Sequence, residues 1–384
     1  MKIGIFTETY EPTINGVVVS INTFKKELER QGHEYYIFCP FNKHAKSDPP
    51  NVFRFPAIHF RNDLLYPLAI PMPFAWVKQQ LPIDIIKTLD IIHVQHFALM
   101  GQYGLRLAKA YNIPSLYTYH TMAELYVVNA PWIAPLAEPA IRALTRYTAR
   151  QAKHVITPTQ SVKDYLHTIG IHRPISVVPT GIDVNQYGRT NGRSLRNKYR
   201  IPHDHKLLLY VGRLAAEKNV PFLLQAFKQA LRFEPKTHLI LVGGGPDKSQ
   251  FETWVKQNRL KNVIFTGFVA HSEVKEHFGL ADIFVFPSVS DTQGIVILEA
   301  MAAGAVPVAI DRLGPHDLID NGHSGVLIDL NLDAFSGTII DLLRNDRKRL
   351  AMARNAERHA NRYDYKVTAR QMEEVYRELI KNDD

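Results

Sequence analysis

Cysteine is almost absent from this 384-residue sequence, in which Cys39 is the only one. A single cysteine excludes an intramolecular disulfide and a zinc site built from several thiolates, and it favours a reducing compartment. Long apolar runs are missing as well, since the longest, near 300–310, falls short of the ~18 residues that a membrane-spanning helix needs. Glu8 and Glu11 interrupt the apolar N-terminus, so no signal peptide is expected. We therefore expect a cytoplasmic protein, either soluble or peripheral on the inner face of the cell membrane.

The sequence also lacks the motifs of several functional classes. No strand is followed by Gly-x-Gly-x-x-Gly, which argues against a nucleotide-cofactor oxidoreductase. No Asp-x-Asp motif is present, so we expect neither an essential divalent metal nor a cofactor. The net charge of +9 favours an anionic partner, such as a phosphorylated ligand, an acidic membrane face or nucleic acid. Nucleic acid is the least favoured of these, because the cations follow strand ends and are not interleaved with aromatic residues.

What the sequence contains is typical of a globular α/β protein. Hydrophobic residues make up 46% and charged residues 22%, and the length predicts two domains. Strands alternate with helices, and the pattern restarts after the polar stretch 185–205, which predicts two doubly wound parallel sheets. The expected domains are 1–185 and 186–362, followed by a C-terminal segment, 363–384.

The predicted elements follow the apolar periodicity of each half. In the first half, the predicted strands are Lys2–Phe6, Glu34–Pro40, Ile91–Val94, Ser115–Tyr119, His154–Thr157 and Ile175–Val178, and the helices are Asn22–Arg30 and Leu99–Tyr111. In the second half, the strands are Lys206–Val211, His238–Val242, Val263–Phe265, Ile283–Phe286 and Val306–Ile310. The helices there are Val220–Phe233, Ser249–Asn258, Ser272–Leu280 and Ile295–Ala303, with an amphipathic helix, Tyr365–Lys381, at the end.

The strongest local signal lies in 288–304, where a strand ends, a turn follows and a helix begins near Gly294. The unpaired backbone N–H groups at Gly294 and Ile295 would form an anion-binding helix N-terminus. Glu299 stands among apolar residues of that helix, and a buried carboxylate is costly without a partner. The alternative is that Asp291 caps the helix and Glu299 faces solvent, as most charged residues do.

A second signal combines Gly212, Arg213 and Lys218 just after a predicted strand. Gly212 would let the backbone turn. An arginine fork and a lysine point charge at one strand end suit a diphosphate. The alternative is that Glu217 and Lys218 only decorate the start of a helix.

Three weaker signals also follow strands, where ligand sites form in parallel sheets. Asn15-Gly16 permits an unusual turn close to a ligand, although it is also an ordinary turn sequence. His120 follows an apolar strand, and the alternative to a functional role is that this histidine is structural. The glycine-rich turn 243–246 could cradle a phosphate.

A predicted basic helix, Ala137–Ala152, places Arg142, Arg146 and Arg150 on one face, with Trp132 and Ile133 before it. This pattern is typical of a helix that lies on anionic lipid. The alternative is a solvated surface helix that contacts no lipid.

Taken in order, these motifs resemble the large family of retaining glycosyltransferases that includes bacterial mannosyltransferases, sucrose synthases and glycolipid glucosyltransferases. The resemblance covers nearly the whole chain, and the joint order and spacing of the motifs make it specific. The matching segments are Asn15-Gly16-Val17 after the first strand, Tyr119-His120-Thr121, 179–183, 212–219, 243–246, 266–268 and 291–299. The resemblance implies the GT-B architecture, an α/β fold of two Rossmann-like, doubly wound parallel-sheet domains facing a cleft. The N-terminal domain would bind the acceptor and the C-terminal domain the nucleotide sugar, with the final helix crossing back to the N-terminal domain.

The resemblance also implies roles for individual residues. Arg213 and Lys218 would hold the donor diphosphate, and Glu299 would bond the ribose hydroxyls. Asp291 would hold sugar hydroxyls, and His120 would contact the transferred sugar near the reacting carbon. The other donor-binding residues that it implies are Gly16, Gly212, Gly244, Phe268, Val269, Gly294 and Ile295.

One position departs from the family pattern, which usually has Glu where this chain has Asp291. The Thr-Gln-Gly that follows resembles the diacylglycerol glucosyltransferases. Together with the positive charge, this leads us to expect transfer of a hexose, glucose from UDP, to a lipid acceptor such as diacylglycerol. Alternatives are a polysaccharide or phosphoinositide-type acceptor with a UDP- or GDP-sugar, or a non-catalytic protein that binds sugar nucleotides.

Overall fold

The computed structural model describes residues 1–45, 47–58, 68–69, 82–122, 134–190 and 192–382. The chain divides into two compact units. The first comprises Met1–Val127, Trp132–Gly181 and Tyr365–Asp384, and the second chiefly Ile182–Asp364. In the described ranges, no helix is both long enough and apolar enough to cross a membrane.

The first unit is built on a seven-stranded parallel sheet. The strands of the whole unit, including two outside this sheet, are β1 (Lys2–Phe6), β2 (Glu34–Pro40), β3 (Val52–Phe55), β4 (Ala57–Ile58), β5 (Leu68–Ala69), β6 (Ile91–Val94), β7 (Ser115–Thr118), β8 (His154–Thr157) and β9 (Ile175–Val177). The spatial order is β3-β2-β1-β6-β7-β8-β9, while β4 and β5 form a separate antiparallel pair. The central strands β1, β6 and β7 are short runs buried on both faces, as is typical of parallel sheets. The direction of winding reverses between β1 and β6.

The helices of this unit are α1 (Gly16–Arg30), α2 (Ile83–Ile86), α3 (Leu99–Tyr111), α4 (Ala134–Gln151) and α5 (Gln160–Thr168). The prediction that the first helix begins at Asn22 is wrong. Asn15 caps α1, because its side chain accepts a hydrogen bond from the Val18 backbone N–H at 2.9 Å. Val17, Val18 and Ile21 then pack into the core, so burial outweighs the low helix propensity of β-branched residues.

The second unit is built on a six-stranded parallel sheet. Its strands are β10 (Lys206–Val211), β11 (Thr237–Val242), β12 (Val263–Gly267), β13 (Ile283–Phe286), β14 (Val306–Ile310) and β15 (Val326–Ile328). Its helices are α6 (Arg193–Tyr199), α7 (Val220–Phe233), α8 (Lys248–Gln257), α9 (His271–Leu280), α10 (Ile295–Ala302), α11 (Leu313–Leu318), α12 (Leu332–Arg344) and α13 (Asp346–Ala360). The strand order, β12-β11-β10-β13-β14-β15, is that of a Rossmann fold, with its reversal between β10 and β13.

The core of the second unit lies on both faces of its sheet. Leu208 and Tyr210 of β10 belong to one apolar cluster, and Leu207 and Leu209 belong to the other. This alternation follows from the two-residue period of a strand. The doubly wound arrangement predicted from the sequence is therefore present in both units.

The last helix, α14 (Tyr365–Lys381), belongs to the first unit and packs on α1. Its apolar face enters the same core cluster as α1 through Ala369, Met372, Val375 and Tyr376. His33 Nε2 lies 3.0 Å from a Glu373 carboxylate oxygen, which adds a polar contact at the edge of this packing.

Candidate functional site

In the second unit, the candidate residues meet where the strand order reverses. Lys218 follows β10 and Asp291 follows β13, and these two strands are neighbours in the sheet. The Lys218 ammonium lies 2.8 and 2.9 Å from the two carboxylate oxygens of Asp291. Ligands of doubly wound folds bind outside the carboxyl ends of the strands at this reversal. The structure thus joins two motifs that are 73 residues apart in sequence.

Glu217 holds the arginine of this site. Arg213 donates from Nε to Glu217 Oε1 at 3.1 Å and makes a second, shorter contact from Nη2 to the same oxygen. The Glu217 side chain is 2% exposed and that of Lys218 is 14% exposed. The alternative that these two residues only decorate a helix start is therefore wrong. Sequence reasoning did not recognise that Glu217 orients the guanidinium.

Glu299 is buried and has a specific partner. The Tyr187 hydroxyl donates a hydrogen bond to Glu299 Oε1 at 2.6 Å. Burial raises the pKa of Glu299 above its ordinary value, while the bond from Tyr187 and the positive charge of Lys275 oppose that rise. The alternative of a solvent-facing Glu299 is wrong.

The N-terminus of α10 is formed by Gly294, which adopts a left-handed backbone with φ of +83°. No side chain caps the helix there. The idea that Asp291 is the cap is therefore also wrong, since its carboxylate holds Lys218 instead. Ile295, the first residue of α10, packs against the core beneath it.

The glycine-rich turn after β11 allows two loops to approach closely. A Cβ at Gly243 would lie 2.1 Å from the Gly212 carbonyl oxygen, and one at Gly245 would lie 2.2 Å from the Leu214 carbonyl oxygen. Leu214 N–H also donates to the Gly244 carbonyl at 2.9 Å. The turn therefore packs against the loop that carries Arg213. Its predicted role in binding a phosphate stays a prediction.

Two further donor-site candidates lie beside this turn. The ring of Phe268 covers Gly244, where a Cβ would approach it to 2.4 Å, yet its side chain is 86% exposed. Val269 packs against the core. Gly212 is not in the left-handed region, so the backbone conformation by itself does not require glycine there. Its lack of a Cβ instead makes room for the Tyr210 hydroxyl, which would lie 2.8 Å from that atom.

In the first unit, buried polar groups gather at the corresponding reversal between β1 and β6. Glu8 follows β1 and is 5% exposed, and its Oε1 accepts a hydrogen bond from the Met100 backbone N–H at 2.5 Å. The Glu8 N–H donates to Nδ1 of His96, which follows β6, at 3.2 Å. Burial raises the pKa of Glu8 to about 7 and lowers that of His96 to about 4. Sequence reasoning missed Glu8, although its place directly after a strand was the available signal.

His120 lies at the same edge of this sheet, two residues after β7. Its Nε2 is 2.6 Å from Gln95 Oε1, so the ring nitrogen donates and the amide oxygen accepts. Burial, with smaller contributions from His96 and His93, lowers the pKa of His120 well below its ordinary value. The imidazole is therefore neutral at physiological pH.

Gly16 does not adopt the unusual backbone turn that its sequence suggested. Its φ is outside the left-handed region, and it is the first residue of α1. Apart from its chain neighbours and the backbone of its own helix, no atom of the described residues lies within 4 Å of the position of a Cβ there, so the space beside its backbone is open.

The basic helix of the sequence is α4. Arg142 and Arg146 are half-buried and Arg150 is exposed. Arg142 pairs with Glu138 one turn earlier at 2.5 Å, so part of its charge is compensated. Trp132 and Ile133 lie outside the described residues.

Comparison with known proteins identifies the family. The model of "Glycosyl transferases group 1" matches residues 192–359, and that of "Glycosyltransferase Family 4" matches residues 14–186. The chain is similar to an alpha-monoglucosyldiacylglycerol synthase of Streptococcus pneumoniae, with 33% identity over 85% of this chain and 75% of that protein. The protein of the same name from Acholeplasma laidlawii is 29% identical over 99% of this chain and 98% of its own length.

More distant similarities extend to other glycosyltransferases and to a solved structure. A GDP-mannose-dependent alpha-mannosyltransferase of Mycobacterium tuberculosis is 26% identical over 92% of this chain and 90% of its own length. A structure of sucrose-phosphate synthase from Thermosynechococcus elongatus matches with a TM-score of 0.81 at 20% identity, covering 99% of both chains. The chain belongs to the group 1 glycosyltransferases and has the GT-B fold of two parallel-sheet α/β domains.

Proposed function

We propose that this glycosyltransferase transfers glucose from UDP-glucose to a lipid acceptor such as diacylglycerol at a membrane surface, with retention of configuration. The observation that carries the proposal is the cation pair Arg213 and Lys218, held by the carboxylates of Glu217 and Asp291 at the reversal of the second sheet. Two relatives named as glucosyldiacylglycerol synthases supply the choice of sugar and acceptor.

The chemistry requires stabilisation of a leaving group. When the bond between the sugar C1 and the diphosphate oxygen breaks, negative charge develops on the diphosphate. Arg213 and Lys218 would neutralise that charge, and preorganised cations and N–H groups of this kind usually supply the largest catalytic contribution. Two cations from the protein would perform the task that a divalent metal performs elsewhere, so we propose a metal-independent reaction.

Retention would follow from attack on the same face of the sugar. The acceptor hydroxyl would form the new bond to C1 as the diphosphate leaves, and its proton would pass to the departing phosphate oxygen. Such a reaction needs no carboxylate nucleophile and no separate general base. A covalent sugar adduct trapped on an Asp or Glu side chain would contradict this mechanism.

Asp291 has a double role in this proposal. It binds the Lys218 ammonium with both oxygens, which fixes the charge before the donor arrives. Its carboxylate would also accept hydrogen bonds from sugar hydroxyls. Because aspartate is one methylene shorter than the usual glutamate, its reach should influence which hexose is accepted. The approach of Gly16 to the phosphates or the acceptor, and the contact of His120 with the sugar, stay predictions.

A second candidate is a mannosyltransferase or another hexosyltransferase with a different acceptor. The similarity to a GDP-mannose-dependent enzyme favours it, because that relative aligns over most of both chains. The two candidates share the diphosphate site and differ in nucleotide, sugar and acceptor.

The test is a donor panel of UDP-glucose, UDP-galactose and GDP-mannose with diacylglycerol in anionic vesicles, read by mass spectrometry. Lys218→Ala should lower turnover by about 10²- to 10³-fold, as expected for the loss of one charge-stabilising group. Lys236→Ala is the matched control, since Lys236 precedes β11 at the opposite edge of the sheet and forms an exposed pair with Asp204.

Each result decides a separate part of the proposal. A hexosyl-lipid that is lost in Lys218→Ala and kept in Lys236→Ala supports both the reaction and the site. Slow donor hydrolysis without a lipid product would contradict the lipid acceptor and leave the enzyme class intact. Donor binding without any turnover would favour a non-catalytic binding protein.

A further inference from the structure

The Tyr187 hydroxyl makes a specific contact in the second unit, and the proposed reaction assigns it no role. Tyr187 follows a short 3₁₀ turn, Val184–Gln186, that packs against α10. Its hydroxyl donates to Glu299 Oε1 at 2.6 Å across 112 residues of sequence. A charge-assisted bond of this length is among the stronger hydrogen bonds in proteins.

The phenol ring is restrained by two neighbours. Phe278 of α9 packs against it edge-on, with ring centroids 6.1 Å apart at 74°. The Lys275 ammonium stands 5.7 Å from the ring centroid and hydrogen-bonds the Gln186 side-chain oxygen. With only two side-chain torsions and packing of this kind, the position of the hydroxyl is set before any ligand binds.

The Glu299 carboxylate has acceptor capacity beyond the one bond from Tyr187. An ionised carboxylate offers about four acceptor positions on its two oxygens. In the part of the chain that the structure describes, the bond to Oε1 is the only hydrogen bond that the Glu299 carboxylate accepts. Because the side chain is 9% exposed, ligand hydroxyls that reach Oε2 would meet an acceptor that is fixed and little hydrated.

We propose that Tyr187 is a positioning residue that holds the Glu299 carboxylate so that Oε2 accepts hydrogen bonds from the ribose of the donor nucleotide. The inference rests on the proposed function, because it requires a ribonucleotide donor in the second unit. Discrimination between ribose and deoxyribose in the donor site then depends on Tyr187, although Tyr187 need not contact the ribose. Lys275 takes part by holding the ring of Tyr187 and by placing positive charge near the carboxylate.

The bond could also serve only to fasten the turn before Tyr187 to α10. In that case its loss would weaken binding of every nucleotide by a similar factor. If Tyr187 acts through Glu299, the loss should fall on ligands with the ribose hydroxyl and spare those without it.

The experiment measures dissociation constants of UDP and 2′-deoxy-UDP and 3′-deoxy-UDP for the full chain by calorimetry. Tyr187→Phe removes the hydroxyl and keeps the ring. We expect UDP affinity to fall about tenfold, as for one charge-assisted bond, and the preference for UDP over at least one deoxy analogue to shrink by a similar factor. Tyr199→Phe is the matched control, since its hydroxyl bonds His277 Nε2 at 2.9 Å in the same unit and should change neither value.

A double-mutant cycle with Glu299→Gln completes the test. If Tyr187 acts through Glu299, Tyr187→Phe should have little further effect on discrimination in the Glu299→Gln background. The inference would be overturned if Tyr187→Phe weakened the binding of all three nucleotides by the same factor. It would also be overturned if the effects of Tyr187→Phe and Glu299→Gln on discrimination were fully additive. If the wild-type chain binds no nucleoside diphosphate, the proposed function fails, and this result is distinct from the failure of Tyr187 to position Glu299.

Discussion

Glu8 offers the most quantitative prediction, because its burial has a calculable effect on stability. Burial raises the pKa of this carboxyl from an ordinary 4.5 to about 7. Each unit of pKa corresponds to about 1.4 kcal/mol, so ionisation of Glu8 should reduce the free energy of unfolding by about 3 kcal/mol. Because the folded chain binds the proton more tightly, this stability is fully present below pH 4.5 and is lost as the pH rises through 7.

The substitution Glu8→Gln should remove this pH dependence. Glutamine is neutral at every pH and keeps a carbonyl oxygen that can accept the Met100 N–H bond. We expect the variant to match the wild type at pH 4 and to exceed it by up to about 3 kcal/mol at pH 8. Urea denaturation of both proteins, followed by circular dichroism across this range, measures the difference.

Glu27→Gln is the matched control with the opposite sign. Glu27 is also buried in the first unit, but its bonds from Arg30 lower its pKa. A lowered pKa stabilises the fold above the ordinary value, so this variant should lose stability at pH 8 and recover relative to the wild type in acid. A Glu8→Gln variant that is no more stable than the wild type at pH 8 would refute the reasoning about Glu8.

Three further predictions test other parts of the structure. Gly245→Ala should destabilise the second unit by about 1–3 kcal/mol, because the new Cβ would meet the Leu214 carbonyl. Gly337→Ala on α12, where the new Cβ meets no described atom outside its own helix within 4 Å, should instead stabilise the unit by about 0.5–1 kcal/mol. Thermal unfolding compares the two variants, and equal effects would contradict this account. Replacement of Arg142, Arg146 and Arg150 by glutamine should weaken binding to anionic vesicles by about 2–3 kcal/mol. The loss is somewhat smaller than that expected for three unpaired arginines, because Arg142 is already paired with Glu138. Sedimentation with anionic and neutral vesicles measures it, and unchanged binding would remove α4 from the membrane contact. Glycosyl transfer should continue in excess EDTA; activity that is lost and then restored by Mg²⁺ would contradict a metal-independent reaction.

Much of the fold could be predicted from local patterns. Strands β1, β2, β6, β8, β10, β13 and β14 have the predicted bounds, because each is a short apolar run between turn residues. The predicted beginning of α1 at Asn22 is too late, because the β-branched Val17 and Val18 have low helix propensity and their packing in the core is not visible in a local pattern. No element is predicted in 311–362, where the structure has α11, β15, α12 and α13.

The sequence by itself determined where the candidate site lies. Residues that directly follow parallel strands share one edge of a sheet, so Arg213, Lys218 and Asp291 could be grouped from strand ends alone. Only the tertiary structure decided which groups orient them. The bonds from Tyr187 to Glu299 and from Met100 to Glu8 join residues 112 and 92 positions apart. No local sequence pattern predicts contacts between residues so far apart. The pKa values of both carboxyls are raised by burial, and this burial exists only once the chain has folded.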